Sequence, residues 1–413
     1  MTQTIDRAAL ARNEHMTFKA NMGVGRHGWL RLTPAYGVKL VRERISHLPE
    51  GSVITDPFSG TGTTPLAAAE LGYSGQSIDV NPFLIWLGNM KLATYSPEIL
   101  LEASDAAREV ESAARSQKRD EELWQPNLFK IEKWWSPGAL HALKGLRAAI
   151  DAHEGLVRDL LDIALCRSLI SCSNAAFNHQ SMSFKATSDI PALFELSDVD
   201  RALLTFDEEA ATVIESARYD LLGSGAVHEG DSRTGVKGLQ PADLVLTSPP
   251  YVNRMSYIRE LRPYMYWLRY LDLASDAGDL DWKAIGGTWG TATSLVGKWE
   301  PQRTTPVDSV MEPICEAIAS DGGKNGPLLS RYVRKYHHDM WEHFQAITSH
   351  VKDGGRVSYI VGNSTFYGHV VPAQDWYAAM LGNLGYEDVK VETIRKRNSN
   401  KALFEYEVTG RKP

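Results

Sequence analysis

The sequence has few cysteines, and their number and spacing favour neither a disulfide framework nor a metal site. Three occur among 413 residues, Cys166, Cys172 and Cys315. They cannot all pair with one another, and their spacing is not that of a metal site. We therefore expect a cytoplasmic protein of a reducing compartment, without a disulfide framework and without a bound metal.

Several other signatures are missing from the chain. It has no signal peptide and no apolar run of about 20 residues, so we expect no membrane insertion. No Gly-Lys-Ser/Thr follows its glycine-rich segment, which also lacks the third glycine of the dinucleotide fingerprint. His337, His338 and His343 occur without an H-E-x-x-H motif, and we expect them on a surface helix.

Charge is present in both signs, with a formal net charge of −7. Basic residues are concentrated at the two ends of the chain. These are Arg7, Arg12, Lys19, Arg26, Arg31, Lys39, Arg42 and Arg44 in the first 46 residues, and Arg395, Lys396, Arg397, Lys401, Arg411 and Lys412 at the other end. Such ends are typical either of a surface that binds nucleic acid or of ordinary solvated faces.

A short apolar run at residues 243–246 leads into Thr247, Ser248, Pro249, Pro250 and Tyr251. The run predicts a strand, and the two prolines predict a stiff turn after it. The Ser248 hydroxyl and the Pro249 carbonyl can accept hydrogen bonds from an exocyclic amine, and the Tyr251 ring can stack on a base. The segment is therefore a candidate amine clamp, although S-P-P-Y can also be a plain strand and turn.

A second segment reads as strand, glycine turn and helix. Gly60 and Gly62 allow a sharp turn and a close approach of the backbone to a ligand. Thr63 and Thr64 open the helix, where hydroxyl groups and unpaired N–H groups are available to a polar ligand. The pattern predicts a ligand site that is not built for phosphate.

A further strand, at residues 75–80, ends in Asp79. In doubly wound sheets a carboxylate at the tip of the second strand accepts hydrogen bonds from ribose hydroxyls. Asp79 could instead cap the helix that begins near Pro82. Together with the glycine turn, it points to an adenosine-type cofactor without a pyrophosphate.

The order of these segments resembles that of the S-adenosylmethionine-dependent DNA amino-methyltransferases. The matching segments are D-P-F-S-G-T-G-T-T at 56–64, G-Q-S-I-D-V-N-P at 75–82, G-D-S at 230–232 and D-L-V-L-T-S-P-P-Y at 243–251. The resemblance implies a Rossmann-like class I methyltransferase sheet, α/β in class, with S-adenosylmethionine as cofactor and duplex DNA with a flipped base as partner. It implies cofactor contacts by Trp29, Pro34, Asp56, Phe58, Gly60, Gly62, Thr63, Thr64, Asp79, Asp231 and Ser248, and catalysis by Ser248, Pro249, Pro250 and Tyr251.

The resemblance also bears on the substrate. Family members with serine at the position of Ser248 mostly methylate cytosine N4, whereas those with aspartate or asparagine mostly methylate adenine N6. We therefore expect a cytosine-N4 enzyme, with adenine N6, RNA guanine N2 and protein glutamine as alternatives. A companion restriction endonuclease is an expected partner. Cytosine-C5 chemistry needs a thiolate, commonly after proline, and none of the three cysteines follows a proline. A cofactor-binding DNA-binding module without catalysis is the non-enzymatic alternative.

The motifs divide the chain into a catalytic domain and two inserts. The catalytic domain is expected at residues 1–96, 225–268 and 331–413, with a fifth strand near 356–362. Residues 97–224 are expected to form a mainly helical insert that engages the substrate, with amphipathic helices at 100–122 and 138–167 and a polar, aromatic segment at 171–185. Residues 269–330, rich in Gly, Asp and Thr, are expected to be an irregular DNA-contacting loop or lid.

Overall fold

A computed structural model describes residues 17–32, 35–118, 122–176, 183–184, 196–235, 238–253, 256–288, 290–397 and 403–413. Its centre is a seven-stranded sheet. The strands of the chain are β1 (Val53–Asp56), β2 (Ser74–Asp79), β3 (Ala175–Ala176), β4 (Ser183–Phe184), β5 (Ser224–Glu229), β6 (Ala242–Thr247), β7 (Val351–Gly362), β8 (Ser364–Phe366), β9 (His369–Val371), β10 (Glu387–Lys396) and β11 (Phe404–Arg411).

The strand order of the sheet is β10-β11-β7-β6-β1-β2-β5. The five strands from β7 to β5 run parallel, and β11 pairs antiparallel with both β7 and β10. The sheet is therefore the Rossmann-like α/β sheet that the sequence predicted. The order reverses between β1 and β6, and ligands of such sheets bind outside the strand ends at this switch point.

Helices cover both faces of the sheet and form most of the two inserts. They are α1 (Phe18–Asn21), α2 (Val38–Ile45), α3 (Thr63–Glu70), α4 (Pro82–Leu92), α5 (Pro97–Ser116), α6 (Ile131–Trp134), α7 (Pro137–Ile150), α8 (Gly155–Ser171), α9 (Asp198–Ala217), α10 (Ile258–Trp267), α11 (Ala274–Lys283), α12 (Thr291–Val296), α13 (Asp308–Asp321), α14 (Gly326–Thr348) and α15 (Ala373–Asn383).

The first insert is helical, as expected, but two of its elements differ from the prediction. The helix expected at 100–122 is α5, which ends at Ser116. Residues 138–167 form two helices, α7 and α8, because the chain turns at residues 151–154. Ser96, Ser136 and Ser197 accept hydrogen bonds from the first backbone N–H groups of α5, α7 and α9, which fixes where these helices begin. Their apolar faces share one core with α4 and α10. In the polar segment at 171–185, residues 177–182 and 185 lie outside the described residues.

Arg26 joins this insert to the sheet layer. Its Nη1 donates to the carbonyls of Lys91 and Ala93, at 2.9 and 2.7 Å, at the end of α4. Its Nη2 donates to the carbonyls of Ala217 and Tyr219, both at 2.8 Å, at the end of α9. A buried guanidinium thus satisfies the carbonyl ends of two helices at once, where a cation is favoured.

Two expectations about the second half of the chain were wrong. The segment 269–330 is not irregular, since it contains α11, α12 and α13. His337, His338 and His343 do not lie on a surface helix, because α14 is packed between β7 and its neighbouring helices and all three side chains are buried. The pKa values of His337 and His343 fall to about 3 through this burial, so both rings are neutral.

Candidate active site

A cleft opens at the carboxyl ends of β1, β2, β5 and β6. Residues from every predicted motif line it: Phe58, Gly60 and Thr63 from the glycine turn, Asp79, Asp231, and Ser248 and Pro250 from the clamp. The prediction that these distant stretches fold to neighbouring strand tips is confirmed, because β1 pairs directly with β6.

Asp56, at the tip of β1, connects the two motifs. Its Oδ1 accepts hydrogen bonds from Thr247 Oγ1 at 2.6 Å and from the Phe58 N–H at 3.0 Å. Its Oδ2 accepts from Thr64 Oγ1 at 2.8 Å, and Tyr36 also bonds to Thr64. The carboxylate is fully buried, which raises the pKa of Asp56 to about 6. Asp56 and Thr64 therefore fix the turn from behind, outside the cleft lining.

The glycine turn needs both of its glycines. Gly60 and Gly62 have φ of 51° and 74°, in the left-handed region that favours glycine. A Cβ on Gly62 would also lie 3.3 Å from the Cα of Gly88 in α4. Gly62 thus sets the sharp entry into α3, while Gly60 presents its backbone to the cleft.

Asp79 is half-buried at the tip of β2 and lines the cleft. Its two oxygens accept hydrogen bonds from the Gly60 N–H at 3.0 Å and the Asn81 N–H at 2.9 Å. Burial raises the pKa of Asp79 to about 6. The helix cap is Asn81, which accepts from the Phe83 N–H at 3.0 Å. Each carboxylate oxygen of Asp79 retains acceptor capacity for a ligand hydroxyl.

Asp231, after β5, lies in an ion-pair network. Arg233 donates to both of its oxygens, at 2.7 Å for the Nη2–Oδ2 bond, and also lies 3.3 Å from Asp339. Although burial alone would raise it, this guanidinium lowers the pKa of Asp231 below its ordinary value. The Arg233 Nη2 further donates to the Lys283 carbonyl at 2.8 Å. This bond joins the network to the insert wall formed by residues 283–285.

The clamp turn is held on several sides. The Pro250 carbonyl accepts from the Tyr336 hydroxyl at 2.5 Å, and Tyr336 in turn bonds to Tyr377 at 2.6 Å. The Tyr251 N–H donates to the Tyr257 hydroxyl at 3.0 Å. Buried tyrosines from α14 and α15 therefore fix a turn whose prolines already restrict the backbone.

The Tyr251 side chain lies beside the cleft, within the C-terminal strands. Its hydroxyl donates to Glu405 Oε1 at 2.7 Å, and the Arg397 guanidinium lies 4.8 Å from the ring centroid. Arg395 donates to both oxygens of Glu405, at 2.6 and 3.1 Å. Burial, followed by the charge of Glu405, raises the pKa of Tyr251 well above its ordinary value. The phenol is neutral and its ring is held in one orientation.

Besides Asp56 and Thr64, a further residue that the resemblance implied, Trp29, lies away from the cleft lining. Trp29 packs into the core of the helical insert, where its Nε1 donates to Ser216 Oγ at 2.7 Å. Pro34 lies outside the described residues, but Leu32, Ala35 and Tyr36 around it line the cleft.

Several basic residues at the chain ends are paired internally. Arg42 pairs with Glu70, Arg44 with Glu407, and Arg411 with Glu387. Arg7 and Arg12 lie outside the described residues. The described basic residues therefore include structural ion pairs as well as solvent-facing charge.

Sequence reasoning missed Lys91. This lysine of α4 is fully buried, and its Nζ donates to the Thr61 carbonyl at 2.8 Å, directly beneath the glycine turn. Burial lowers the pKa of Lys91 to about 7. A lone cation in the apolar helix sequence P-F-L-I-W-L-G-N-M-K-L was the available signal.

Among the residues that the structure describes, no group of three or more His, Cys, Asp or Glu side chains could hold a metal ion. Within the same part of the chain, every helix is too short or too polar to cross a membrane.

Comparison with known proteins identifies methyltransferases. The chain is 22% identical over 437 aligned positions to the type II methyltransferase M.BsoBI of Geobacillus stearothermophilus, covering 93% of this chain and 83% of that protein. It is 23% identical over 269 positions to M.AvaI of Nostoc sp., also a type II methyltransferase, covering 59% of this chain and 54% of M.AvaI. M.AvaI of Anabaena variabilis matches to the same extent. No protein-family model matches the chain.

A solved structure of the rRNA methyltransferase AviRa from Streptomyces viridochromogenes aligns with 95% of this chain and 92% of its own, at 14% identity and a TM-score of 0.31. The fold assignment rests instead on the strand order of the sheet. The sequence relatives support a methyltransferase enzyme of the restriction-modification type that uses S-adenosylmethionine.

Proposed function

We propose that this protein methylates the exocyclic amine of a base flipped out of DNA, and that the base is cytosine, modified at N4. The observation that carries the proposal is the shared cleft. The glycine turn and the Ser-Pro-Pro-Tyr turn line one cavity, and Thr247 and Asp56 join them through a hydrogen bond of 2.6 Å.

The residues at the tips of β1, β2 and β5 fit S-adenosylmethionine. Asp79 offers acceptors for two ribose hydroxyls, and Gly60 lets the backbone approach the ligand without a side chain between them. Phe58 and Thr63 line the same wall, and Asp231 is an acceptor for the adenine amine. When bound, the cofactor supplies an electrophilic methyl group.

The clamp residues act on the amine. Its nitrogen lone pair is delocalised into the base ring, so the nitrogen is a weak nucleophile. The Ser248 hydroxyl and the Pro249 carbonyl accept hydrogen bonds from the amine, which localises the lone pair and orients it. The Tyr251 ring stacks on the base. Because Tyr336 and Tyr257 fix the turn, these acceptors are in place before the base arrives.

The two inserts are assigned different roles. Residues 283–285 line the cleft, so the segment 269–330 closes its cofactor end. Within the described residues, the helical insert 97–224 contributes no side chain to the cleft lining. We propose that it engages DNA outside the cleft.

The test is transfer of labelled methyl groups from S-adenosylmethionine to unmethylated duplex DNA, followed by nucleoside analysis. We expect N4-methylcytosine, and Ser248→Ala should reduce the rate while leaving cofactor affinity intact. N6-methyladenine would correct the base but keep the enzyme class. Label appearing only in RNA or protein, or in no polymer at high enzyme concentration, would refute DNA as substrate. A companion restriction endonuclease belongs to the proposal, and DNA modified by this enzyme should resist its cleavage.

A further inference from the structure

Arg397 lies where the C-terminal hairpin meets the clamp. It directly follows β10, and its guanidinium lies 4.8 Å from the centroid of the Tyr251 ring. Its Nη1 donates to the carbonyl of Asn363 at 3.0 Å. Asn363 follows β7, the neighbour of β6 in the sheet. The hairpin therefore places a cation at the same sheet edge as the Ser-Pro-Pro-Tyr turn.

Gly362, the last residue of β7, makes room for this arrangement. A Cβ at this position would lie 2.1 Å from Arg397 Nη1 and 3.2 Å from Tyr251 Cδ2. Arg397 and Tyr251 thus meet over a residue without a side chain. The guanidinium is a packed part of the clamp and not a side chain that extends into solvent.

The charges around Tyr251 leave one positive charge in excess. Glu405 is buried and receives hydrogen bonds from Arg395 on both oxygens, so this pair is neutral. Arg397 has no carboxylate partner within the described part of the chain. Arg395, Glu405 and Arg397 together therefore carry a net charge of about +1 beside Tyr251.

A flipped cytosine is neutral, so its recognition does not require a cation. The negatively charged part of a flipped nucleotide is its phosphodiester group, which a cation can bind. A guanidinium is planar and always charged, and it offers paired N–H donors that match phosphate oxygens. One of its five N–H groups is used by Asn363.

Resting on the proposed function, we infer that Arg397 binds a phosphodiester group adjacent to the flipped nucleotide and holds it while the base lies against Tyr251. Arg397 is then a positioning residue of the C-terminal hairpin. The hairpin becomes a DNA-contacting element in addition to the two inserts.

The experiment uses the full chain and a duplex that contains its methylation site, found by sequencing DNA that the enzyme has modified. In a series of duplexes, one phosphodiester near the target base is replaced by a neutral methylphosphonate. We expect one linkage flanking the target base to cost the parent enzyme about tenfold in affinity, as for the loss of a charge-assisted hydrogen bond. Neutralising that linkage should not lower the DNA affinity of Arg397→Gln any further, because the guanidinium that binds it is absent from this variant.

The matched control is Arg411→Gln, at the far end of the same hairpin, where the arginine is paired with Glu387. It should keep the parent's pattern of linkage penalties. The slope of log affinity against log salt should become shallower by about 0.9 in Arg397→Gln only. Calorimetry should give equal S-adenosylmethionine affinity for all three proteins, which also verifies folding.

Each outcome is decisive. If no methylphosphonate next to the target base weakens DNA binding by the parent enzyme, the inference is refuted, whatever the variants do. If Arg397→Gln keeps both the linkage penalty and the salt slope, Arg397 only supports Tyr251 and the inference also fails, while the proposed function stands. If the parent neither binds nor methylates DNA, the proposed function itself fails. Arg397→Lys, which keeps the charge but not the paired donors, should retain the salt slope and lose part of the linkage penalty.

Discussion

At the tips of β1 and β2, two carboxylates with similar surroundings are expected to do different work. The two oxygens of Asp56 accept hydrogen bonds from Thr247, Thr64 and the Phe58 N–H, which are all groups of the protein itself. Within the described residues, the Asp79 carboxylate accepts hydrogen bonds from the backbone N–H groups of Gly60 and Asn81, and it faces the cleft. The first is a support of the fold at the switch point, and the second is available to a ligand.

We predict that Asp79→Asn weakens S-adenosylmethionine binding by about 10- to 100-fold, since bonds to a charged acceptor contribute about 1.5–3 kcal/mol. Asp79→Ala should weaken binding further, because it also deprives the Gly60 and Asn81 N–H groups of their acceptor. Isothermal calorimetry measures both. Asp353→Asn, at an exposed position in β7, is the control, and equal affinity in all variants would contradict the role of Asp79.

We also predict that the affinity for S-adenosylmethionine depends on pH through the ionisation of Asp79. The pKa of Asp79 is about 6 in the protein without ligand. Ribose hydroxyls donate hydrogen bonds to the ionised carboxylate of Asp79. Cofactor binding must therefore lower the pKa of Asp79. Affinity should therefore rise from pH 5 to about pH 7 and then level off. Asp79→Asn should flatten the profile, and an unchanged profile in that variant would assign the titration to another group.

Two substitutions of Tyr251 distinguish the contribution of its ring to DNA methylation from that of its hydroxyl. Tyr251→Ala should weaken methylation of DNA, because stacking of a base on an aromatic ring contributes about 1–3 kcal/mol. Tyr251→Phe keeps the ring but removes the donor to Glu405, which remains paired with Arg395. Its KM for DNA should lie close to that of the parent. Steady-state kinetics with saturating cofactor checks both, and equal defects in the two variants would argue against stacking.

Among the elements, the turn between β1 and α3 depends most on backbone conformation. Gly62→Ala places a Cβ at φ 74° and 3.3 Å from Gly88. We predict a destabilisation of about 1 kcal/mol or more and weaker cofactor binding. Gly382→Ala in α15 is the matched control, since a Cβ there meets nothing within 4 Å. That substitution should stabilise the protein by about 0.5–1 kcal/mol. Chemical denaturation measures both, and equal effects would show that the turn tolerates a side chain.

The strand tips could be predicted from the sequence because their evidence is local. An apolar run, a glycine or proline turn and a chemically suited residue lie within a few positions of one another at Asp56, Asp79 and Ser248. The partners of Tyr251 could not be predicted, because Gly362, Arg397 and Glu405 approach it only through the pairing of β7 with β11. The buried histidines of α14 were missed for the same reason, since nothing in their own segment reveals what packs over them.

Arg26 is the second element-scale test. Arg26→Ala would leave carbonyls at the ends of α4 and α9 without their donors in a buried place. Each unsatisfied group costs about 1–3 kcal/mol, so we predict a loss of at least about 3 kcal/mol. Arg108→Ala removes an exposed ion pair on α5 and should change stability by less than about 0.5 kcal/mol. Thermal unfolding monitored by circular dichroism distinguishes them, and similar midpoints would show that Arg26 is dispensable.

On the scale of the whole molecule, the helical insert and the sheet layer should unfold together. The apolar core of the insert includes Phe83 and Leu87 of α4 and Trp267 of α10, so neither layer is complete without the other. We predict coincident transitions in far-UV circular dichroism and tryptophan fluorescence. S-adenosylmethionine at 100 times its Kd should stabilise both signals by about 2.7 kcal/mol. A helical signal that melts first would mean that the insert is an independent domain.

Arg26 donates hydrogen bonds to the ends of both α4 and α9. The long insert therefore leaves the sheet layer and returns to it at one place, which this side chain holds together. The strands β2 and β5 on either side pair directly and in register, whatever the chain between them builds. Such a junction is a natural graft point. A helical layer from another chain, provided that it covers α4 and supplies carbonyls to the same guanidinium, could replace this one without disturbing the strand tips.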